Sequence, residues 1–255
     1  MSNTIETSEL KKVYGQRGFE FHALKGINLT VEKGEFLGIM GPSGSGKTTL
    51  LNLISTIDKQ TSGKIIFNGQ DMSSIKTKDL SRFRRDNIGF IFQDYNLLDN
   101  MSIEDNISLP LALNKVPHKE IKQKVDKLST FFGIEAQIKK YPYQLSGGQK
   151  QRVAAARALI TSPTVIFADE PTGALDSRSA TELLNCLADM NTKFNTTIIM
   201  VTHDAFAASF CKRILFLADG QIHAKLNQNT SRKELYQRIL TMMASLGEGE
   251  QNELF

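Results

Sequence analysis

Eight residues from 41 to 48 carry the strongest chemical pattern in the chain. They fit the phosphate-binding pattern G-x-x-x-x-G-K-[ST] and are Gly41, Pro42, Ser43, Gly44, Ser45, Gly46, Lys47 and Thr48. Glycines in such a loop allow a tight turn, so that several backbone N–H groups point at one anion. The lysine supplies a mobile positive charge for the β- and γ-phosphates of a nucleotide. The Thr48 hydroxyl can occupy one site on Mg²⁺, so the pattern predicts a site for a nucleotide and its metal.

The residues on either side of this loop provide the context that phosphate binding requires. An apolar run at 36–40 predicts a buried strand, and residues 49–54 predict the start of a helix. The N-terminus of a helix presents unpaired N–H groups and a partial positive charge, which favour a bound phosphate. A Gly/Ser-rich turn with a solvated lysine is the alternative, and the flanking strand and helix disfavour it.

Two adjacent acidic residues, Asp169 and Glu170, follow a second apolar strand predicted at 164–168. In a phosphate-loop enzyme, the carboxylate that ends a neighbouring strand reaches Mg²⁺ directly or through water, which indicates Asp169 here. Glu170 comes next and points differently, so it can take a proton from an attacking water. Acidic residues at strand ends are common, and the pair has this meaning only because a phosphate-binding loop precedes it.

A second predicted anion site lies at residues 145–149, which are Leu145, Ser146, Gly147, Gly148 and Gln149. Ser146 is suited to cap the helix that follows, and two glycines expose the backbone at the N-terminus of that helix. An ordinary helix cap with glycines is the alternative. The segment has no lysine of its own. One γ-phosphate can therefore most easily be bound by both this segment and the loop at 41–48 if the two come from different chains.

Composition sets the broad class of the protein. The chain has 255 residues and a formal net charge of +4, which is compatible with one large α/β domain or two small ones. The modest charge of mixed sign gives little support for binding to nucleic acid. Cys186 and Cys211 lie in apolar-rich segments without metal-ligand spacing, so we expect buried free thiols and a reducing cytosol.

Neither a secretory signal nor a membrane span is expected. The first residues lack a basic segment followed by an apolar one, and no apolar run approaches the about 20 residues that a span requires. We therefore expect membrane association only through a partner.

The order of the remaining patterns indicates an α/β fold. Residues 5–31 alternate as antiparallel strands around a loop at 15–18, and Asn68-Gly69 predicts a hairpin turn. Strands that alternate with helices favour a mostly parallel sheet covered on both faces. The predicted elements of this part are strands at 88–92, 164–168, 196–201 and 214–217 and a helix at 180–190.

Two helical regions are predicted outside this core. From about 96 to 160, apolar residues recur with helical spacing, as in the helix opened by Pro117; its apolar face comprises Ile121, Val125, Leu128 and Phe132. After Lys225 the chain becomes polar and then predicts a short amphipathic helix, whose apolar stripe we expect to pack on the body of the chain; packing on a partner is the alternative. That stripe comprises Leu235, Ile239, Met242, Met243 and Leu246.

These motifs, together with Ala174-Leu175-Asp176 and His203, occur in the order found in the ABC transporter ATPase family. The chain resembles that family over about residues 3–225. The resemblance implies an α/β P-loop NTPase of ABC type, with a mostly parallel sheet core, an antiparallel β subdomain and an α-helical subdomain inserted at about 96–160. Residues 226–255 would then form a C-terminal tail.

The resemblance also assigns roles to single residues. Gln93 matches the Q-loop glutamine, which approaches Mg²⁺ and the attacking water and senses the transmembrane partner. Residues 146–148 match the signature that closes on the γ-phosphate held by the other protomer, and Asp176 matches the D-loop residue at the dimer seam. His203 matches the switch histidine that contacts the γ-phosphate, and Tyr14 matches the aromatic residue on which adenine stacks. A histidine satisfied at a strand end and an ordinary strand-end tyrosine are the alternatives for the last two.

The expected site falls into three sets of residues. The nucleotide-binding set is Tyr14, Gly41, Pro42, Ser43, Gly44, Ser45, Gly46, Lys47, Thr48, Thr49, Leu145, Ser146, Gly147, Gly148, Gln149 and Asp176. The metal-binding set is Thr48, Gln93 and Asp169. The catalytic set is Glu170, His203 and Gln93. ATP and Mg²⁺ are the implied substrate and cofactor.

Residues 93–99 and 171–176 resemble the branch that includes macrolide-export, lipoprotein-release and bacitracin-export ATPases. Residues 95–100 and the tail helix are most similar to the bacitracin-export ATPases of Gram-positive bacteria. Such ATPases imply a homodimer at the cytoplasmic face of the membrane, paired with a large single-chain permease that responds to peptide antibiotics acting on lipid-linked cell-wall precursors. A sensor histidine kinase often works alongside them. The cargo is specified by the permease and cannot be read from this chain.

Other functions remain as alternatives. A lipoprotein-release or macrolide-export ATPase would share these motifs. A soluble ABC ATPase of DNA repair, iron–sulfur assembly or translation usually carries tandem ATP domains, coiled-coil inserts or basic arms, and none is visible in the sequence. A regulatory module with little turnover is disfavoured by the intact Glu170 and His203.

Overall fold

The computed structural model describes the backbone of residues 2–16 and 18–252, and side chains up to residue 245. The strands are β1 (Asn3–Gln16), β2 (Phe19–Glu32), β3 (Phe36–Met40), β4 (Ser62–Phe67), β5 (Gln70–Asp71), β6 (Ile88–Phe92), β7 (Val165–Asp169), β8 (Thr197–Val201), β9 (Arg213–Ala218) and β10 (Gln221–Asn227). The helices are α1 (Lys47–Ile54), α2 (Thr77–Asn87), α3 (Ile103–Leu113), α4 (His118–Phe132), α5 (Gly147–Leu159), α6 (Ser177–Phe194), α7 (Ala205–Ala208) and α8 (Arg232–Asn252).

The chain divides into two compact units. The first comprises Met1–Leu80 and Thr197–Phe255, and the second comprises Ser81–Thr196. The helical stretch expected at 96–160 contains α3, α4 and α5 and lies within the second unit.

The first unit contains an antiparallel sheet and a parallel group of strands. The antiparallel sheet has the strand order β2-β1-β4-β5, as the alternating residues and the Asn68-Gly69 turn predict. All five residues of β3 are buried, and β3 lies between β8 and β9, parallel to both. Ile39 is opposite Val201 on one side and Leu215 on the other. The carboxyl ends of these strands therefore lie at one edge of the sheet.

The second unit places helices on a pair of parallel strands. β6 pairs with β7 from Ile88 opposite Val165 to Phe92 opposite Asp169. Helix α5 packs on β6 and also contacts α3, α4 and α6. The predicted face of α4 is confirmed, because Val125, Leu128 and Phe132 are buried and Ile121 is half-buried; Pro117 stands at the position just before the helix.

The structure contains elements that were not predicted, such as α2 and β10, and other elements differ from the predictions in extent. The β10 strand was not predicted because only Leu226 of its seven residues is buried, and its pairing with β9 depends on the backbone. Helix α6 extends beyond the predicted 180–190 because Asp176 caps an earlier start. The predicted loop at 15–18 is shorter, and its residue Arg17 lies outside the described part.

The tail helix is longer than predicted, and its apolar stripe packs on the body of the chain only in part, because Met242 is half-buried and Met243 is exposed. Leu235 and Ile239 are fully buried, and α8 packs on α7. The side chain of Leu246 lies outside the described residues. None of the described helices combines the length and the apolar sequence that a membrane crossing needs.

Both cysteines are free thiols. Cys211 is buried as predicted, whereas Cys186 is half-buried. Burial raises the pKa of both thiols.

Candidate functional site

The loop from Gly41 to Gly46 passes so close to other backbone that it admits only glycine at two positions. A Cβ on Gly41, whose φ is 152°, would lie 2.0 Å from the carbonyl oxygen of Leu217. A Cβ on Gly46, whose φ is 99°, would lie 2.6 Å from the carbonyl oxygen of Ala23. The two outer glycines of the motif are therefore required by this backbone geometry.

The side chains of the loop suit an anionic ligand. Lys47 Nζ donates hydrogen bonds to the carbonyl oxygens of Gly41 (2.8 Å) and Pro42 (2.6 Å), so its ammonium group lies over the loop. Ser45 Oγ is buried beside Gly41 and has no hydrogen-bond partner among the described residues. A buried hydroxyl without a partner is rare in a native protein and is explained by a site that is completed by a ligand.

Helix α1 begins without the features that would compete with a phosphate. Within the described part of the chain no side chain caps its N-terminus, and its first turn contains no acidic residue. Thr48, the second residue of the helix, is exposed. The N–H groups of a helix start point along the helix axis and carry a partial positive charge, and both features favour an anion.

Tyr14 is held in a fixed position near the start of α1. Its hydroxyl donates to Asp58 Oδ2 (2.8 Å), and Lys12 lies 4.6 Å from the ring centroid while bonding to the same carboxylate. Burial, followed by the hydrogen bond to Asp58, raises the pKa of Tyr14, whereas a hydrogen bond with Thr49 lowers it. Burial alone would raise the pKa of Asp58, but its hydrogen bonds from Lys12 and Tyr14 outweigh burial and lower it. Tyr14 is 40% exposed, so aromatic surface remains for a nucleobase.

His203 follows strand β8 at the same sheet edge as the phosphate-binding loop. The N–H of Thr202 donates to the carbonyl oxygen of Ile39 (3.1 Å), which continues the pairing of β8 with β3. His203 comes next and is exposed. The first unit therefore brings the predicted loop and the predicted histidine to the ends of neighbouring strands.

In the second unit, Gln93 and Glu170 leave neighbouring strands side by side, because Phe92 is paired with Asp169. Glu170 has a φ of 45°, a left-handed conformation that is uncommon for a residue other than glycine. Strain of this kind often marks a functional turn. The side chain of Gln93 lies against Gly173, where an added Cβ would be 3.1 Å from Gln93 Cδ.

The segment 145–149 forms the start of α5. Ser146 Oγ accepts a hydrogen bond from the N–H of Gln149 (3.3 Å), and Gln149 Oε1 accepts one from the N–H of Ser146 (3.0 Å). The sequence predicted only one half of this reciprocal cap, the contact made by Ser146. An added Cβ on Gly147 would lie 2.9 Å from Tyr95 Oη, so the first signature glycine packs on the loop that begins at Gln93.

Asp176 caps α6 and bonds to Ser179, which lies against the signature glycine Gly148. Its carboxylate accepts hydrogen bonds from the N–H groups of Arg178 (3.1 Å) and Ser179 (3.0 Å) and from Ser179 Oγ (2.7 Å). The bonds from the backbone and side chain of Ser179 lower the pKa of Asp176. An added Cβ on Gly148 would lie 2.9 Å from Ser179.

Sequence reasoning missed two polar residues on α5. Arg157 donates to the carbonyl oxygens of Asn96 (2.5 Å) and Tyr95 (2.9 Å), and these two residues have positive φ values of 48° and 60°. Burial lowers the pKa of Arg157. Gln151 is fully buried. The available signal was the occurrence of polar residues on a helix face that is otherwise rich in alanine.

The residues expected to hold Mg²⁺ have suitable chemistry. A hydroxyl (Thr48), an amide oxygen (Gln93) and a carboxylate (Asp169) are hard oxygen donors of the kind that Mg²⁺ prefers. No group of three or more His, Cys, Asp or Glu residues forms a metal site within the part of the chain that the structure describes. This donor set therefore fits a metal that arrives with nucleotide phosphates rather than one held by protein alone.

Comparison with known proteins agrees with this description. A family model described as ABC transporter matches residues 24–173. The chain is 49% identical over 250 residues, 98% of each protein, to the bacitracin export ATP-binding protein BceA of Halalkalibacterium halodurans. It is 44% identical to the ABC transporter ATP-binding protein YxdL of Bacillus subtilis, over all of this chain and 98% of that protein.

A solved structure is similar as well. The dimeric post-hydrolysis structure of the ATP-binding cassette MJ0796 bound to ADP and Pi has a TM-score of 0.80 and 36% identity, covering 89% of this chain and all of that one. This likeness confirms the predicted fold class, a mostly parallel sheet core with an antiparallel β subdomain and helices. The chain therefore belongs to the ABC transporter family and is an ABC-type ATPase, the ATP-binding subunit of a transporter.

Proposed function

We propose that this ATPase powers a separate membrane permease that exports a peptide antibiotic of the bacitracin type. The observation that carries the proposal is the 49% identity with BceA over 98% of both chains. That likeness extends well beyond the matched family region at 24–173 and takes in most of α8. A likeness limited to the ATP site would have supported only a general ATPase.

Two copies of the chain bind two ATP molecules at a head-to-tail interface in this proposal. Each site pairs Lys47 and Thr48 of one copy with Ser146, Gly147 and Gly148 of the other. The uncapped start of α1 and the glycine-exposed start of α5 are two anion sites, one with a lysine and one without. The dimeric form of the MJ0796 cassette supports this arrangement.

Hydrolysis is assigned to residues that follow the strand ends. Glu170 accepts a proton from the attacking water, whose oxygen bonds to the γ-phosphorus while the bond from that phosphorus to the ADP oxygen breaks. His203 stabilises the charge on the γ-phosphate. Thr48, Gln93 and Asp169 would hold Mg²⁺, which would supply charge neutralisation to the phosphates when bound. The release of ADP and phosphate reopens the dimer.

A groove in the second unit is the proposed docking site for a cytoplasmic segment of the permease. It is a cavity of about 360 Å³ between β6, α3 and α5, and its lining includes Phe90, Leu109 and Leu113 with Arg85 and Arg157. Apolar walls favour insertion of an apolar side chain of the partner. Since Arg157 also bonds to the carbonyl groups of Tyr95 and Asn96, occupation of the groove acts on the loop that begins at Gln93. The peripheral location at the cytoplasmic face follows from this docking.

The proposal is tested by recovery of the partner. The Glu170→Gln chain with MgATP is used to capture proteins from solubilised membranes of the source cell, because a dimer that cannot hydrolyse ATP keeps its partner bound. We expect a polytopic membrane protein, and we expect cells that lack either protein to become more sensitive to bacitracin. Recovery of soluble partners only, or unchanged sensitivity in both deletions, would contradict the proposal.

The groove is tested with a matched pair of variants. Leu113→Glu adds a charge to the groove lining at a residue that is 58% exposed, so the fold is preserved. Ala112→Glu adds the same charge one residue away, outside the lining. We expect the first variant to lose the permease and the second to retain it, with equal basal ATPase rates. Equal recovery of the permease by both variants would exclude the groove as the docking site.

A further inference from the structure

A buried glutamine on α5 links the two loops that carry Gln93 and Glu170. Gln151 has no exposed surface, and its Nε2 donates to the carbonyl oxygens of Phe92 (3.1 Å) and Pro171 (2.7 Å). Phe92 directly precedes Gln93, and Pro171 directly follows Glu170. We propose that Gln151 is a positioning residue for ATP hydrolysis, which fixes the backbone of these two loops. The inference rests on the roles proposed above for Gln93 and Glu170.

The position of Gln151 matches the place where the sheet stops supporting these loops. The ladder between β6 and β7 ends with Phe92 opposite Asp169. The Nε2 group has two hydrogens and can serve one carbonyl with each. The oxygen of Phe92 also accepts the N–H of Tyr95 (3.2 Å), so the same atom anchors the turn that contains Gln93. The hydrogen bonds of Gln151 thus hold the backbone where the pairing between β6 and β7 ends.

Both loops contain backbone that needs external support. Glu170 has a φ of 45° and Tyr95 a φ of 60°. Left-handed conformations of residues other than glycine cost free energy and persist only where the surroundings hold them. The two hydrogen bonds of Gln151 are made one residue after Glu170 and three residues before Tyr95.

The remaining atom of the amide indicates that packing alone does not explain this residue. Gln151 Oε1 is buried and has no hydrogen-bond partner among the described residues. The amide cannot be turned over to satisfy it, because both neighbouring groups are acceptors. An unpaired buried oxygen is unfavourable, and an apolar side chain of the same length would avoid that penalty. The contacts to the two carbonyl groups therefore account for a glutamine here.

The test replaces the amide while keeping the volume of the side chain. Gln151→Met removes both donors, and because a small displacement of catalytic groups is costly, we expect kcat to fall about tenfold or more. Gln151 does not belong to the nucleotide-binding set, so KM for ATP should stay within about twofold. Val153→Ala, a buried apolar truncation on the same helix, is the control that loses packing only and should keep kcat. A Gln151→Met enzyme with wild-type kcat, or a control that loses as much, would overturn the inference.

A second measurement locates the effect. Backbone hydrogen exchange of the wild-type and variant chains should be faster at 93–96 and 170–173 in Gln151→Met and unchanged there in Val153→Ala. Gln151→Asn, which is shorter but keeps the amide, is the milder variant in case Gln151→Met does not fold, and it should accelerate exchange at one or both loops. Unchanged exchange at both loops contradicts the inference. Glu170→Gln is assayed in parallel. If this variant retains turnover, the proposed mechanism fails and the inference fails with it. If Glu170→Gln is inactive and Gln151→Met is fully active, only the inference fails.

Discussion

Gly148 and Ser179 lie in direct contact between the starts of α5 and α6, so that a Cβ on the glycine would be 2.9 Å from Cβ of the serine. Ser179 cannot withdraw freely, because its N–H and its hydroxyl both bond to Asp176. The second signature glycine is therefore packed against the cap of α6, and the signature and Asp176 hold each other in position.

We expect Gly148→Ala to lower the ATPase rate about tenfold or more while leaving ATP binding by the loop at 41–48 unchanged, because the added methyl group must displace the start of one helix. Ser179→Gly removes the opposing Cβ. The double variant Gly148→Ala/Ser179→Gly should recover part of the rate, measured by phosphate release. Ser179→Gly alone is the control for the loss of the cap contact. A double variant as inactive as Gly148→Ala would show that the contact is not the cause.

Replacement of Lys47 tests the phosphate-binding loop. Lys47→Ala removes the ammonium group that lies over Gly41 and Pro42, and ATP affinity should fall about 100-fold, since a charge-assisted contact to phosphate is lost. Titration of the variant with a fluorescent ATP analogue measures this. Lys33→Ala, which removes an exposed lysine outside the loop, is the control and should bind normally. Wild-type affinity in Lys47→Ala would show that the loop does not hold the nucleotide.

Replacement of Glu170 separates binding from chemistry. Glu170→Gln keeps the shape of the side chain but removes its ability to accept a proton, so ATP affinity should be retained while turnover falls about 100-fold or more. The variant should also accumulate as a dimer with ATP, detected by gel filtration. Glu182→Gln, an isosteric change at a glutamate of α6 that forms ion pairs with Arg152 and Arg178, is the control. Retained turnover in Glu170→Gln would remove this residue from the proposed role.

Lys47, Glu170 and His203 could be proposed from the sequence because each lies at a short, fixed distance from an apolar strand, and the structure places them after β3, β7 and β8. The same kind of reasoning fails for Gln151, whose two partners are backbone carbonyl groups 59 and 20 residues away. Carbonyl groups exist at every residue and leave no trace in the sequence. Only the folded chain shows which of them need a donor.

The fold shows the same division. Strand β3 is buried along its whole length and was predicted from its apolar run, whereas the mostly exposed edge strand β10 was not. Edge pairing depends on backbone hydrogen bonds, which most side chains permit. Helix limits were also underestimated, since the cap formed by Asp176 at the start of α6 serves two N–H groups that become visible only in three dimensions.

The contact between Asp58 and Tyr14 gives a prediction for adenine binding. Asp58→Asn retains an acceptor for the tyrosine hydroxyl but loses the charge partner of Lys12, so the ring is held less firmly and ATP affinity should fall about threefold. Because the hydrogen bonds from Lys12 and Tyr14 lower the pKa of Asp58 from its ordinary value, its carboxylate is charged near neutral pH and loses this role only as the pH falls through the lowered pKa. The difference in ATP affinity between wild type and Asp58→Asn should therefore be constant from about pH 6 to about pH 8. A difference that vanishes within this range would contradict the assignment.

The ion pair between Arg213 and Glu35 gives a prediction for stability. Arg213 Nε and Nη2 donate to the two carboxylate oxygens of Glu35 at 2.6 and 3.0 Å, and Nη2 also donates to the carbonyl oxygen of Thr30 at 2.6 Å. The side chains of Arg213 and Glu35 are only 22% and 11% exposed, so this ion pair is neither a surface pair nor a fully buried one. Arg213→Met should therefore lower the free energy of unfolding by about 2 kcal/mol, which corresponds to roughly 4–8 °C in Tm.

A double variant distinguishes the effect of the lost ion pair from the effect of the unpaired charge that remains. In Arg213→Met the carboxylate of Glu35 remains in a poorly solvated place without its cation, and this unpaired charge causes most of the loss. Arg213→Met/Glu35→Leu removes the charge as well, so part of the stability should return even though both members of the pair are absent. Thermal unfolding followed by circular dichroism distinguishes the two cases. A double variant less stable than Arg213→Met would mean that Glu35 stabilises the start of β3 mainly through its own contact with the N–H of Glu32 (2.9 Å).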